Sequence, residues 1–227
     1  MERKEAIRGA YRMTGGNNFY DGMITCTTLS GKAVCRLVWD MNKAENDDYL
    51  EKALSGIPEN FSGRLLEVPV GTGILTMPVY QTLPEADITC LDYSTDMMGQ
   101  AQEKANRLKL NNVTFQQGDV GALPYEDDTL DIVLSLNGFH AFPDKEAAYR
   151  EVFRVLRPGG TFCGCFYVMG EHKRTDWFVR HVYEKTGFFT PPYETVSSLK
   201  NRLERMDAAV TLGNVKSMAW FICRKAE

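Results

Sequence analysis

A short apolar run that ends at a pair of glycines constrains this chain more than any other feature. Residues 64–70 read Arg-Leu-Leu-Glu-Val-Pro-Val, and Gly71-Thr72-Gly73 follow them directly. Such a run predicts a buried strand, and the glycines predict a turn into the next helix. Backbone N–H groups at a turn of this kind are free to bind a ligand. The segment therefore predicts an α/β fold with a ligand site after this strand.

The central region repeats this alternation of strands and helices. Further strands are predicted over residues 87–93, 113–117, 130–136 and 161–168, and helices over residues 74–83, 94–109 and 144–156. Continuous apolar strands separated by helices are typical of a parallel sheet that is covered on both faces. Ser94 and Asp144 are expected to cap the second and third of these helices.

The pattern changes after residue 168. Helices are predicted over residues 177–185 and 196–206, and two strands over residues 208–212 and 218–224, joined by a turn around Gly213-Asn214. Strands this close in sequence must pair antiparallel. We therefore predict a doubly wound, mostly parallel, seven-stranded Rossmann-like sheet with an antiparallel C-terminal strand pair. The less regular residues 1–60, with a helix over 48–54, are predicted to form a helical cap.

Length and charge limit the number of domains and the kinds of partner. The 227 residues suit one α/β domain, divided into the cap (1–60), the core (61–168) and the C-terminal helices and strands (169–227). The formal net charge of −4 argues against a nucleic-acid partner. Residues 1–14 are charged, and no apolar run approaches the roughly 18 residues of a membrane span. We therefore expect a cytoplasmic protein with no membrane partner.

The six cysteines show neither a CxxC pair nor the spacing of a zinc site, so no metal site is expected. Four of them, Cys90, Cys163, Cys165 and Cys223, lie in predicted buried strands. We interpret the cysteines as reduced core residues. A thiol site for a metalloid acceptor is the alternative.

Polar residues follow four of the predicted strands, where doubly wound sheets bind their ligands. They are Glu67, Asp92, Asp119 and Asn137. Three carboxylates around one crevice would repel a pyrophosphate and attract a cation. This favours a cationic, phosphate-free ligand over a dinucleotide, whose binding turn also needs a third glycine where Thr76 stands.

The same region resembles the class I S-adenosylmethionine-dependent methyltransferases, in particular those that methylate carbon in quinone biosynthesis. The matching stretches are LLEVPVGTG (65–73), ITCLDYSTDMMGQA (88–101), QGDVGALPYEDDTLDIVLSLNGFHAFPD (117–144) and EVFRVLRPGG (151–160). The resemblance implies the methyltransferase form of the Rossmann-like fold, S-adenosylmethionine as the cofactor and a small-molecule acceptor. It covers residues 64–168, just under half of the chain.

The resemblance also implies roles for individual residues. Glu67 and the turn of Val70, Gly71, Thr72 and Gly73 would hold the methionine end of the cofactor. Asp92 would bind the ribose hydroxyls, with Tyr93 beside it, and Met97 would lie against the adenine. Asp119 would accept a hydrogen bond from the adenine amino group, with Val120 nearby, and Asn137 would face the acceptor. Tyr20 belongs to a Tyr-Asp element that folds over the cofactor in relatives; a core tyrosine is the alternative.

One position departs from the pattern of the family. Pro69 stands where the family usually has the first glycine of its E-x-G-x-G-x-G turn. Proline fixes φ near −65° and donates no hydrogen bond, which is acceptable at the last residue of a strand. We expect the turn to form, with an altered contact to the carboxylate of the ligand.

The sequence offers few candidate catalytic residues on the acceptor side. His140 is the candidate catalytic residue, as a general base, although the family often has a histidine there without a settled catalytic role. The resemblance implies that the aromatic residues after 176 roof the acceptor pocket together with the cap, which favours an apolar or aromatic acceptor. Packing of these residues as core is the alternative. Two other functions remain open at this stage. They are an NAD-dependent oxidoreductase, although no Tyr-Lys pair is found, and a non-catalytic protein that binds S-adenosylmethionine.

Overall fold

The computed structural model describes residues 18–227, which are arranged around a seven-stranded sheet. The strands are β1 Arg64–Glu67, β2 Asp87–Asp92, β3 Val113–Gln117, β4 Leu130–Leu136, β5 Leu156–Tyr167, β6 Ala208–Val215 and β7 Met218–Lys225. They lie in the order β3-β2-β1-β4-β5-β7-β6. Strands β1 to β5 pair in parallel, whereas β7 pairs antiparallel with both β5 and β6. The predicted mostly parallel sheet with its antiparallel C-terminal pair is confirmed.

Helices cover both faces of this sheet. In the described residues they are α1 Asn18–Ile24, α2 Leu29–Leu37, α3 Lys43–Leu54, α4 Met77–Tyr80, α5 Thr95–Leu108, α6 Lys145–Val155, α7 Lys173–Phe178 with a π-helical continuation Val179–Tyr183, and α8 Val196–Arg205. Ser94 accepts a hydrogen bond from the N–H of Met97, and Asp144 accepts one from the N–H of Ala147, so both predicted caps are confirmed. Residues 1–17 of the predicted N-terminal cap lie outside the described residues. In the described part of the chain, every helix is too short or too polar to cross a membrane.

The sheet separates two apolar cores. Successive side chains of a strand point to opposite faces, so Leu65 enters one core and Leu66 the other. Both side chains are buried. Helices α3 and α5 lie on the first face, and α6 and α8 on the second. Because both faces are covered, the carboxyl edge of the parallel strands is left as the place where loops can surround a ligand.

Three predicted helices differ from the structure. The helix predicted over residues 48–54 is α3, which begins at Lys43, after the cap residue Asn42. The helix predicted over residues 74–83 is the single turn α4, because Pro78 lacks the N–H that would bond to the carbonyl of Ile74. The helix predicted over residues 177–185 begins earlier, at Lys173, where the imidazole of His172 accepts the N–H of Thr175 as a cap. It then widens into the π-helical turn and ends at Tyr183.

Strand β5 begins at Leu156 and not at the predicted residue 161. Leu130 pairs with Leu156, but Ile132 already pairs with Thr161, so extra residues bulge out of β5 between these two pairs. The bulge holds Pro158-Gly159-Gly160, which were predicted to lie between the helix and the strand. A bulge accommodates proline because the ladder hydrogen bonds are interrupted there. Whereas β5 is longer than predicted, β1 is shorter, since it ends at Glu67 and not at residue 70.

The predicted turn at Gly213-Asn214 was wrong. Val215 pairs with Met218, so the turn consists of Lys216 and Ser217, and Lys216 has a positive φ of 53°. Gly213 lies within β6, where an added Cβ would stand 2.8 Å from the Trp220 ring. This glycine therefore allows a close approach of an aromatic side chain and does not mark a turn.

The cysteines fall into two groups. Cys90, Cys163, Cys165 and Cys223 are free and buried in the sheet, as expected. Cys26 and Cys35 are joined in a disulfide, which corrects the expectation that the cysteines are reduced. The hairpin of α1 and α2 brings their Cα atoms to 6.4 Å, within the range that a disulfide spans.

Candidate functional site

A cavity opens at the carboxyl ends of β1, β2 and β4. The residues predicted to bind the cofactor come from several distant segments, and the structure brings all of them to its wall: Tyr20, Glu67, Val70, Gly71, Thr72, Gly73, Asp92, Tyr93, Met97, Asp119, Val120 and Asn137. We call this space the first cavity. The three carboxylates therefore border one crevice, as the charge argument requires.

The glycine turn forms the floor of the first cavity. Gly71 and Gly73 have positive φ values of 57° and 67°, which residues other than glycine rarely adopt. An added Cβ at Gly71 would project into open space, 3.9 Å from its nearest atom, Cε of Met97. The turn thus leaves room for a ligand to lie against its backbone. Pro69 precedes it and packs its ring against Gly138, where an added Cβ would lie 2.3 Å from the Cδ of the proline.

Asp92 connects the glycine turn to the start of α5. One carboxylate oxygen accepts the N–H of Gly71 and the other accepts the N–H of Ser94, both at 2.8 Å. Burial raises the pKa of Asp92 to about 6, although these backbone hydrogen bonds lower it. Each oxygen keeps a second lone pair, so the carboxylate can still accept a hydrogen bond from a hydroxyl in the cavity.

Glu67 ends β1 and is buried. Its Oε2 accepts the hydroxyl of Tyr80 at 2.8 Å and the thiol of Cys90 at 3.6 Å. Burial raises its pKa to about 8, and the hydrogen bonds from Tyr80 and Cys90 only partly offset this effect. The carboxyl group therefore holds its proton at neutral pH and would ionise when a cation enters the cavity.

The far end of the first cavity is formed by residues after β2 and β3. Met97, in the first turn of α5, is buried, whereas Tyr93 is 38 % exposed. Asp119 accepts the N–H of Gly121 at 3.0 Å, which fixes the turn that brings Val120 to the wall. A flat apolar surface beside a carboxylate suits a heterocycle that carries an amino group.

Helix α1 covers one side of the first cavity. Asp21 accepts a hydrogen bond from the Thr72 hydroxyl at 2.6 Å, and its other oxygen pairs with Lys104 of α5 at 3.0 Å. The neighbouring Tyr20 is on the cavity wall, and burial, together with the charges of Asp92 and Asp21, raises the pKa of its phenol. The α1 helix is thus attached to the turn that it covers.

A second cavity adjoins the first, and Tyr20, Ile24 and Asn137 border both. Most of its wall is apolar or aromatic: Met23, Val34, Trp39, Met41, Tyr49, Tyr183, Phe188, Phe189 and Met218. Trp39 stacks on Tyr183 with ring centroids 5.9 Å apart and lies 6.1 Å from Phe189. These rings come from the cap and from the segment after α7, as predicted for the roof of an acceptor pocket.

Asn137 lies on the boundary between the two cavities. It directly follows β4, with a positive φ of 56°, and its N–H donates to the carbonyl of Cys165 at 2.7 Å. Its buried Oδ1 makes no hydrogen bond to any residue in the range 18–227. Buried polar atoms nearly always have a partner, so this oxygen is suited to a donor on a ligand. His140, the candidate base, lines the second cavity and not the first.

The prediction missed several residues of both walls. Leu75, Thr76 and the segment 141–143 line the first cavity, and Asn46 and Tyr49 line the second. The segment 141–143 belongs to the longest stretch that resembles the methyltransferases, and reading that stretch to its end would have identified it. No sequence signal distinguishes Asn46 or Tyr49 from other polar or aromatic residues of an amphipathic helix.

Comparisons with known proteins agree with this geometry. Residues 65–160 match the model of the methyltransferase domain family. A demethylmenaquinone methyltransferase of Thermus thermophilus is 37 % identical over 97 residues, which cover 43 % of this chain and 44 % of the relative. A chloroplastic 2-methyl-6-phytyl-1,4-hydroquinone methyltransferase of Oryza sativa is 30 % identical over 137 residues, which cover 60 % of this chain and 37 % of the relative. The chain thus spans less than half the length of these relatives.

The central part of this chain is therefore similar to methyltransferases. The fold agrees, since a SAM-dependent methyltransferase from Aquifex aeolicus superposes with a TM-score of 0.59 at 19 % identity over 77 % of this chain and 88 % of that one. The residues around the first cavity would fit S-adenosylmethionine. The glycine turn is open above Gly71, the acidic wall suits its two cationic groups, and the buried Oδ1 of Asn137 lacks a partner within the described residues.

Proposed function

We propose that this protein transfers the methyl group of S-adenosylmethionine to a small, largely apolar acceptor that binds in the second cavity. The observation that supports this most directly is the shared wall, since Tyr20, Ile24 and Asn137 border both cavities. A cofactor in the first cavity and an acceptor in the second would therefore meet without crossing solvent. One of the two relatives is named for a hydroquinone and the other for a menaquinone, so compounds of this kind are the first acceptor class to test.

We assign the cofactor contacts as follows. Glu67 and the turn of residues 70–73 bind the methionine end, and Asp92 binds the ribose hydroxyls. Asp119 and Val120 bind the adenine edge, and Met97 and Tyr93 lie against its ring and ribose. Asn137 contacts the cofactor at the boundary with the acceptor, and Tyr20 covers it. The positions of these residues on one cavity wall support the assignment.

When bound, S-adenosylmethionine supplies a methyl group on a sulfonium, which an acceptor can displace in line. The protein contributes by holding the acceptor in the second cavity and by excluding water. Positioning of this kind can supply about 7–11 kcal/mol of the barrier without a catalytic acid or base. The aromatic wall of Trp39, Tyr183 and Phe189 suits this task because rigid rings shape a dry site.

We also propose that the protein acts in the cytoplasm on a free small molecule, with neither nucleic acid nor a membrane as its partner. The net charge of −4 supports the absence of a nucleic-acid partner. A mobility-shift assay with RNA and DNA and a sedimentation assay with anionic vesicles would test it, and retention by either would count against it.

The proposed activity is tested in two steps. Calorimetric titration measures the binding of S-adenosylmethionine and S-adenosylhomocysteine, and turnover is then followed as S-adenosylhomocysteine released with hydroquinones, indoles and amines. Asp92→Ala should abolish cofactor binding, whereas Asp87→Ala, at the other end of β2 and 69 % exposed, should leave it unchanged. Absence of binding would overturn the proposal. Binding without turnover on any acceptor would favour the non-catalytic alternative.

A further inference from the structure

His140 lies beside the end of β5, on the side where β4 no longer pairs with it. Strand β4 ends at Leu136, opposite Cys165, so Tyr167 at the end of β5 has no β4 residue beside it. Its N–H instead donates a hydrogen bond to Nδ1 of His140 at 3.3 Å. A backbone N–H can only donate, so Nδ1 must be the unprotonated nitrogen. In a neutral imidazole the proton then resides on Nε2.

Several contacts hold this imidazole in place. Phe189 stacks on it with ring centroids 4.0 Å apart and an interplanar angle of 10°. The carbonyl of His140 accepts the N–H of Thr190 at 2.9 Å, and the Lys145 ammonium donates to the carbonyls of Thr190 and Phe142. Burial, and then the charge of Lys145, lowers the pKa of His140 to about 3, so the ring is neutral at physiological pH. Its orientation and its tautomer are therefore both fixed.

The side chain of His140 borders the second cavity, and Nε2 is the ring nitrogen that is not turned to the Tyr167 N–H. Within residues 18–227 no group accepts a hydrogen bond from Nε2. Two neighbouring polar groups of the wall are already engaged, since Tyr49 donates to Asn46 and Asn46 donates to the carbonyl of Ile24. The Nε2–H group is thus a free donor that faces an aromatic space.

We propose that His140 is a fixed hydrogen-bond donor, which binds an oxygen atom of the methyl acceptor through Nε2–H, and that it is not a general base. A base would need an unprotonated nitrogen toward the acceptor, and that nitrogen is turned to the Tyr167 backbone. The acceptor therefore carries a carbonyl, phenolic or enolic oxygen at this point of the cavity. This inference rests on the proposed function, because it assumes that the second cavity holds the acceptor.

The tautomer is measured directly. The chain has three histidines, so ¹⁵N-labelled imidazoles give a simple NMR spectrum, in which His140→Gln identifies the signals of His140. We expect a neutral ring, protonated on Nε2, between pH 5.5 and 8.5. A ring protonated on Nδ1, or a cationic ring at pH 6, would overturn the proposal. This measurement needs no ligand, so its result does not depend on whether the methyltransferase activity is found.

Binding then tests the direction of the hydrogen bond. The probe is acetophenone, whose oxygen can only accept, with α-methylstyrene as its apolar isostere, and the fluorescence of Trp39 in the cavity wall reports binding. The wild-type protein with S-adenosylhomocysteine bound should prefer acetophenone by about five- to tenfold. His140→Gln, which keeps a donor near the Nε2 position, should retain the preference, and His140→Leu should lose it. No preference in the wild type, or equal loss in both variants, would overturn the proposal; failure to bind S-adenosylhomocysteine would instead count against the proposed function.

Discussion

The Thr72 hydroxyl donates a hydrogen bond to the Asp21 carboxylate across 2.6 Å, and this contact joins the glycine turn to helix α1. The two residues are 51 positions apart in sequence. Lys104 of α5 pairs with the same carboxylate at 3.0 Å, so three elements that border the first cavity meet at Asp21. These two contacts hold α1 beside the first cavity.

Breaking the Thr72–Asp21 contact should shorten the residence time of the cofactor. In Thr72→Val the hydroxyl is lost and the volume is kept, so α1 should open more often. We expect S-adenosylmethionine to dissociate about tenfold faster, the effect of one hydrogen bond to a charged group. Stopped-flow fluorescence measures the rate. Thr82→Val is the control, because its hydroxyl donates to the carbonyl of Val79 outside the cavity. Equal rates in both variants would contradict the prediction.

Asp92→Asn should weaken the cofactor site and the fold together. An amide offers only one oxygen, so its NH₂ group would face one of the two backbone donors, Gly71 or Ser94. We expect the free energy of unfolding to fall by about 1–3 kcal/mol, and cofactor affinity to fall at least tenfold. Urea denaturation and calorimetry measure these effects. Asp87→Asn, on the exposed end of the same strand, should change neither, and a wild-type affinity in Asp92→Asn would exclude the proposed ribose contact.

The raised pKa of Glu67 predicts opposite effects of pH on stability and on cofactor binding. The folded protein keeps this proton up to a pH of about 8, whereas the unfolded chain loses it near 4.5. The free energy of unfolding should therefore decrease as the pH rises through this interval. Cofactor affinity should increase over the same interval, because the ammonium group favours the ionised carboxylate.

These pH effects can be separated from those of other groups. Glu67→Gln should flatten both profiles, which thermal unfolding and calorimetry record from pH 5.5 to 8.5. Methylthioadenosine, which lacks the amino-acid end, is the ligand control, and its affinity should not follow the titration of Glu67. An unchanged profile in Glu67→Gln would show that another group is responsible.

Two glycines should respond to alanine in opposite directions. An added Cβ at Gly164 in β5 would lie 2.0 Å from the carbonyl oxygen of Ser135 in the neighbouring strand, and neither backbone can yield. Gly164→Ala should lower the free energy of unfolding by about 1–3 kcal/mol. Gly99, in α5, has nothing within 4 Å of an added Cβ, so Gly99→Ala should raise it by about 0.5–1 kcal/mol. Chemical denaturation compares the two, and a loss at Gly99 would contradict the open space found there.

Local signals were sufficient to predict much of the sheet. β3 and β4 begin and end at the predicted residues because turn-forming residues border both apolar runs. The bulge in β5 and the turn at Lys216-Ser217 could not be predicted in this way. Both depend on the register between one strand and its neighbour, and the sequence of a single strand does not specify that register.

The first cavity was predictable because its ligand contacts lie at strand ends, in motifs such as the one from Glu67 to Gly73. For the second cavity the sequence predicted only an aromatic roof. The individual wall residues from α1 and α3 were not predicted, because elements far apart in sequence form this wall. The tautomer of His140 illustrates the difference. It follows from a backbone N–H at Tyr167, 27 residues away, and nothing in the sequence around His140 indicates it.

The wall that the two cavities share has a consequence for the order in which the two substrates bind. Tyr20 and Ile24 belong to the same short helix, and both cavities border them. When α1 moves aside to admit or release one reactant, it also disturbs the place of the other. We therefore expect an ordered mechanism, in which the cofactor binds first and α1 returns to its position before the acceptor binds. Because α1 borders both cavities, the binding of the two substrates would be ordered.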